Sequence, residues 1–187
     1  MSSDVVVLGV KPYVIPEIAE ELAEPLAEAE PLVVSLAAGV TLERLESLLP
    51  DGARVVRVMP NVAAAVGESM TALAAGTEAS EEDLATAREL MDAVGRTAVI
   101  AEKDFSAFIG LAGSSPALVC AFIDALARAG VMGGIARLLK PSAGQVISRV
   151  SPDAAVRHCP LMCKVVIGGS LSVAWVGTDR NARFSSV

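Results

Sequence analysis

Aromatic side chains are scarce in this 187-residue chain: four Phe, one Tyr and one Trp, 3% of the residues. Any core must therefore be aliphatic, and a hydrophobic content of 53%, much of it Ala and Val, is ample to build one domain. There is a single histidine, His158, which leaves no credible Ser-His-Asp arrangement for hydrolysis. Three cysteines, Cys120, Cys159 and Cys163, do not make a disulfide framework, so the cytoplasm is the expected compartment. The opening "MSSDVVVLGV" lacks the basic region of a signal peptide. No stretch of 18 or more apolar residues is free of charges or Gly/Pro breaks, so no membrane span is expected. Basic residues are also in deficit. The net charge of −7 argues against a nucleic-acid backbone as partner.

That charge is unevenly distributed. Residues 1–136 hold 8 Lys/Arg against 20 Asp/Glu, whereas residues 137–187 hold 7 against 2. The second segment also contains the only His, the only Trp and two of the three Cys. The composition changes abruptly near Arg137.

What is present is an alternation of short β-branched runs and helical patterns. "DVVVLGV" (Asp4 to Val10) and "LVVSLAAG" (Leu32 to Gly39) are continuous apolar runs, the signature of strands buried on both faces. "ARVVRVMPN" (Ala53 to Asn61), "SMTALAAG" (Ser69 to Gly76) and "RTAVIAE" (Arg96 to Glu102) read as three more strands. Between them lie a helix after Lys11, its regularity limited by Pro16 and Pro25, and a helix capped by Thr41. A third helix is capped by Ser80, carries Glu81, Glu82 and Asp83 in its first turn, and stops at Gly95. The expected fold is α/β with a largely parallel, Rossmann-like sheet over residues 1–101. A helical segment over 102–136 follows, and then an atypical stretch, 137–187, in which no helical period can be traced.

The helix opened by "GSSP" is apolar or small at 117–123, 125–127 and 129, with only Asp124 and Arg128 charged among them. Such a helix is buried all round. Either it is the central helix of a monomeric core, or a second copy of the chain covers it.

Ligands of open parallel sheets lie at the carboxyl ends of strands. Three such ends carry small, permissive loops: "GVKP" (Gly9, Val10, Lys11, Pro12), "LAAG" (Leu36, Ala37, Ala38, Gly39) and "MPN", ending at Asn61. Small residues admit a flat ring or a pyrophosphate, Lys11 offers a cation, and Asn61 both a donor and an acceptor. Ser114 and Ser115, with Pro116 suited to N1, could hold a carboxylate at a helix N-terminus or simply cap the helix. Glu102, Lys103 and Asp104 fit a solvated hinge. "HCPLMC" gathers His158, Cys159 and Cys163, but it lacks a fourth ligand and is interrupted by Pro160, so no metal is expected.

Taken together, "DVVVLGVKP", "LVVSLAAGVTLERL", "RVVRVMPNVAAAVGESMTALAAG" and "FIGLAGSSPALVCAFIDALARAGVMGGI" resemble the pyrroline-5-carboxylate reductase family over residues 4–136. The resemblance implies a domain for NADP or NAD and a helical segment that interlocks with a partner subunit in a homodimer or higher oligomer. It implies that "GVKP" and "LAAG" line the cofactor, that Asn61 and Glu102 face the region between cofactor and substrate, and that Ser114 and Ser115 lie near the substrate, a cyclic imine carboxylate. The implied reaction is hydride transfer to the C=N carbon, giving L-proline in proline biosynthesis, with neither nucleic acid nor membrane as partner.

Two departures from the family pattern set a second reading beside this one. Family members begin with a strand and a G-x-G-x-x-G-type turn for the pyrophosphate, followed by a second strand. This chain begins after both, which would leave its sheet short of covering strands. The family also continues into a "SPGGTT"-like loop, where this chain has a segment that reads as divergent or frame-shifted. The second reading is a catalytically inactive fragment, or a remnant that binds a paralogue.

Overall fold

Val5, Val7, Leu32, Val34, Val56 and Val58 point to one face of a sheet, and Val6, Leu8, Val33 and Val55 to the other. Both faces are covered, which is why these runs show no polar alternation. The computed structural model describes residues 3–133 and the backbone of 173–176. Its strands are β1 (Val5–Leu8), β2 (Leu32–Ser35), β3 (Val55–Met59), β4 (Ser69–Ala75), β5 (Gly95–Val99) and β6 (Val173–Val176), in the order β5-β4-β3-β2-β1-β6.

One face carries α1 (Ile15–Ala29), α2 (Leu42–Glu46) and Phe105, and the other carries α3 (Glu81–Asp92). Ile15, Ala19, Leu22 and Leu26 of α1 recur at helical spacing and are buried. Leu84, Ala87, Leu90 and Met91 do the same for α3. Burying each of the larger of these side chains is worth about 1.5–3 kcal/mol.

Four of the five strand pairings are parallel, as the sequence leads one to expect, but β4 runs antiparallel to β3. The reason lies in the connection. Only residues 60–68 join the two strands, with a 3-10 turn at Val62–Val66 and no crossover helix. A parallel return needs a dozen or more residues. Between β4 and β5 the helix α3 supplies that length, and the two strands pair in parallel. The sheet thus divides into a β6-β1-β2-β3 block and an opposed β4-β5 pair.

The edge of β1 is occupied. Val5 to Leu8 pair in parallel with Val173 to Val176, so a strand arises in the segment that showed no periodicity, and the expected shortage of cover on this side is corrected. A four-residue run buried on both faces would otherwise present a row of open N–H and C=O groups. The rest of 137–187, including His158, Cys159 and Cys163, lies outside the described residues.

Local chemistry sets most boundaries. The Thr41 hydroxyl accepts from the Arg44 N–H, and Ser80 forms a reciprocal capping box with Asp83. A 3-10 turn at Pro12–Val14 precedes α1, which runs straight through Pro25. Pro25 lies on the exposed side, where the carbonyl it leaves unbonded can meet water. α1 ends at Glu30 in the left-handed conformation, φ 47°, its N–H on the Leu26 carbonyl and its own carbonyl held by Arg54.

Gly95 does not terminate α3, which stops at Asp92; it begins β5. Its φ is +154°, and a Cβ there would overlap the backbone N and O of Ser69 on the paired strand. Backbone cannot yield as a flexible side chain can. Gly95→Ala is therefore expected to cost more than about 3 kcal/mol, read as a lower urea midpoint, whereas an alanine at exposed Gly110, with open space around it, should be near neutral.

Candidate functional site

The parallel block places the carboxyl ends of β1, β2 and β3 side by side along one edge of the sheet. Gly9 to Pro12 leave β1, Leu36 to Gly39 leave β2, and Pro60 and Asn61 leave β3. Val10 and Ala37 turn inward and are buried, while Lys11, Pro12, Ala38 and Gly39 are exposed. Gly39 takes φ +79°, with nothing within 4 Å of where a Cβ would stand, so the main chain there is open to an incoming group. Two cavities of about 230 and 190 Å³ lie elsewhere, at the amino ends of β1 and β2 beside Arg54, and touch none of the loop residues.

Asn61 is held on three sides. Its N–H donates to Ser69 Oγ at 3.2 Å, and its Oδ1 accepts from the Ala63 N–H at 3.0 Å, capping the 3-10 turn. Its Nδ2 donates to the Ala112 carbonyl at 2.8 Å, in the helical segment.

Beyond β5 the chain is almost continuously helical. A 3-10 turn at Glu102–Asp104 leads into α4 (Phe105–Phe108), a π-helical turn at Ile109–Gly113 and α5 (Ser115–Met132). The "GSSP" stretch is thus the join of two helical pieces. Neither serine caps α5, against the capping reading. The Ser114 side chain makes no cap bond, while the Ser114 N–H closes the π turn on the Ile109 carbonyl. Ser115 Oγ donates back to the Leu111 carbonyl. Ser115 is the first residue of α5, so Pro116 stands one place later than N1.

Glu102 is not a solvated hinge. Its Oε1 accepts from the Leu42 N–H, the first of α2, at 2.6 Å and from Arg57 Nη1 at 2.7 Å. Arg57 sits in the middle of β3, only 5% exposed, with its guanidinium 4.4 Å from the centre of the Phe105 ring. A carboxylate at a helix N-terminus beside a buried guanidinium neutralises both. Sequence reasoning passed over Arg57. The available signal was one charge inside a run otherwise buried on both faces.

No residue of α5 is buried. Leu118, Val119, Phe122, Ile123 and Leu126 are all exposed, so the helix is not the centre of a monomeric core among the described residues. By length and composition alone the helical run Glu102–Met132, whose most apolar 18-residue stretch has a mean hydropathy of 1.7, would suffice to cross a membrane. Gly110, Gly113, Pro116 and the Asp124–Arg128 ion pair at 2.8 Å interrupt it. Among the described residues no group of three or more His, Cys, Asp or Glu is placed to hold a metal ion.

These features define a class: a Rossmann-like α/β unit, open at three adjacent strand ends and continued by a long apolar helix. Residues 102–141 match the family model for pyrroline-5-carboxylate reductase dimerisation, a few residues beyond the composition break at Arg137. A pyrroline-5-carboxylate reductase from Methanosarcina acetivorans is 42% identical over 135 residues, 72% of this chain and 50% of the relative. The solved reductase of Streptococcus pyogenes superposes with a TM-score of 0.65 at 36% identity, covering 82% of this chain and 56% of that one. The Plasmodium falciparum reductase, solved with NADP bound, gives 0.67 at 26% identity over 83% and 61%. This chain belongs to the pyrroline-5-carboxylate reductase family. It spans about half the length of the curated relatives it matches. The family match identifies the exposed helix as part of a dimerisation region rather than a membrane span.

Glu102→Ala strips a buried guanidinium of its carboxylate and α2 of its first N–H partner. Because Glu102 is partly exposed, water recovers some of the loss, and a destabilisation of about 2–3 kcal/mol is expected in urea unfolding. Glu102→Gln, which keeps an acceptor, should cost less than half of that.

Proposed function

We propose that this chain forms the strand-end half of a cofactor site and the dimerisation arm of an NAD(P)H-dependent pyrroline-5-carboxylate reductase, which converts 1-pyrroline-5-carboxylate to L-proline. The observation that carries this reading is the contiguity of three small-residue loops at the carboxyl ends of β1, β2 and β3, with the helical junction tied to the last of them by Asn61. Residues 1–101 act as the nucleotide-side domain and residues 102–136 as the start of the dimerisation and substrate segment.

The loops suit the nicotinamide half of a dinucleotide. Exposed main chain at Ala38 and Gly39 admits a flat ring, and Lys11 supplies a cation. When bound, the reduced nicotinamide supplies the hydride. The protein's own task is to align two rings and hold a carboxylate, which calls for backbone and small polar groups rather than a strong acid or base. Gly9, Val10, Lys11, Pro12, Leu36, Ala37, Ala38 and Gly39 are the proposed cofactor loops, Asn61 belongs to both sides of the site, and Ser114 and Ser115 border the substrate. Glu102 serves from one side, by holding Arg57 and α2 in place. The reaction is cytoplasmic in this reading.

The partner is a second copy of the chain, packed on α5. Leu118, Phe122 and Leu126, spaced four apart and all exposed, form one stripe of the proposed interface. Phe122→Lys is expected to shift sedimentation of the purified chain toward monomer at micromolar concentration; an unchanged distribution would remove α5 from the interface.

Fluorescence titration with NADPH tests the cofactor site. Saturable binding is expected, weakened roughly tenfold by Lys11→Ala through loss of a charge-assisted contact. Oxidation of NADPH should follow addition of pyrroline-5-carboxylate. Absence of binding at millimolar cofactor would instead leave the inactive, paralogue-binding reading.

A further inference from the structure

The junction of the two helical pieces has a hydrogen-bond deficit that the sequence creates. In an unbroken α-helix the Ala112 carbonyl would accept from the N–H of residue 116. Residue 116 is proline, which has no N–H, and its ring also crowds the carbonyl four residues back. Each carbonyl freed there needs another donor. Ile109 finds one in the Ser114 N–H at 2.8 Å, through the π turn, and Leu111 in the hydroxyl of Ser115. Ala112 finds its donor 51 residues away, in Asn61 Nδ2 at 2.8 Å.

The orientation of the Asn61 carboxamide is fixed by chemistry. Its Oδ1 faces an N–H, that of Ala63, and its Nδ2 faces a carbonyl, so the reverse assignment would break both bonds. Its main-chain N–H is anchored on Ser69, which is buried in β4. The side chain therefore joins the carboxyl end of β3 to the join at Ser114.

We propose that Asn61 is a positioning residue: its carboxamide supplies the hydrogen bond that Pro116 withholds from Ala112, and so fixes the Ser114–Ser115 turn against the end of β3. The pair acts as one device. Pro116 breaks the ladder and makes a carbonyl available for docking, and Asn61 docks it. The catalytic consequence rests on the reading above, in which cofactor and substrate meet at this edge; the mechanical link does not.

The test is a double-mutant cycle on the full chain, read by amide hydrogen exchange in peptides covering residues 105–118. Asn61→Asp keeps the acceptor for Ala63 and removes the donor to Ala112. It is expected to raise exchange in 105–118 about tenfold while leaving the β1 to β3 peptides protected. Pro116→Ala restores an N–H within reach of Ala112, so adding Asn61→Asp in that background should change exchange in 105–118 less than twofold. Equal effects of Asn61→Asp with and without Pro116, or none in either background, would overturn the proposal. NADPH affinity is measured on the same proteins. An affinity loss in Asn61→Asp without a change in exchange makes Asn61 a ligand contact alone and overturns the proposal. If the unaltered chain binds no NADPH, the functional reading fails while the exchange cycle still decides the mechanical link.

Discussion

A guanidinium buried in the face of a sheet must be met by a carboxylate, and in this chain that requirement ties three regions together. Arg57 points from the middle of β3 into the layer occupied by α2 and Phe105. Glu102 reaches it from the turn that follows β5 and takes the first N–H of α2 with the same oxygen. An unpaired charge there would cost several kcal/mol, so the turn after β5 has little freedom to sit elsewhere. The helical arm leaves the sheet from that fixed point, and its direction follows.

A second tie, Asn61 to Ala112, lies 10 residues further along the arm and grips it at the π turn. These two polar contacts, together with the buried ring of Phe105, thus anchor the root of an apolar helix none of whose own residues is buried. This division of labour suits a surface meant for another subunit. The sheet fixes where the helix begins, and the helix keeps its apolar stripe uncovered. The same arrangement explains why the three loops and the junction sit together: β3 contributes both Arg57 at its centre and, immediately beyond its end, Asn61.

Much of this was legible in the residues. The runs at Val5, Leu32 and Val55 announced strands buried on both faces, and Thr41 and Ser80 announced helix starts, because strand periodicity and capping are local properties. The three small-residue loops were legible for the same reason. The reversal of β4 was not, since the eye reads a strand and not its direction, although the nine-residue connection held the information. Arg57 was passed over because a lone charge in an apolar run reveals its partner only when a distant turn is brought against it. The serines at 114 and 115 do stand at the start of α5, but that neither side chain caps it depends on the π turn packed in front of them, which no local capping pattern announces.

By itself the sequence determined the element types, most of their boundaries, the loops that gather at the strand ends and the family to which the chain belongs. All of these depend on neighbours within a few residues or on motifs in a fixed order. Only the tertiary structure decided that Glu102 is committed to Arg57 and α2, that Asn61 reaches Ala112, that a strand at Val173–Val176 closes the edge of β1, and that α5 stands exposed. Each joins residues far apart in the chain or concerns what surrounds a helix, and a buried charge or an orphaned carbonyl selects its partner by position in space rather than by distance along the sequence.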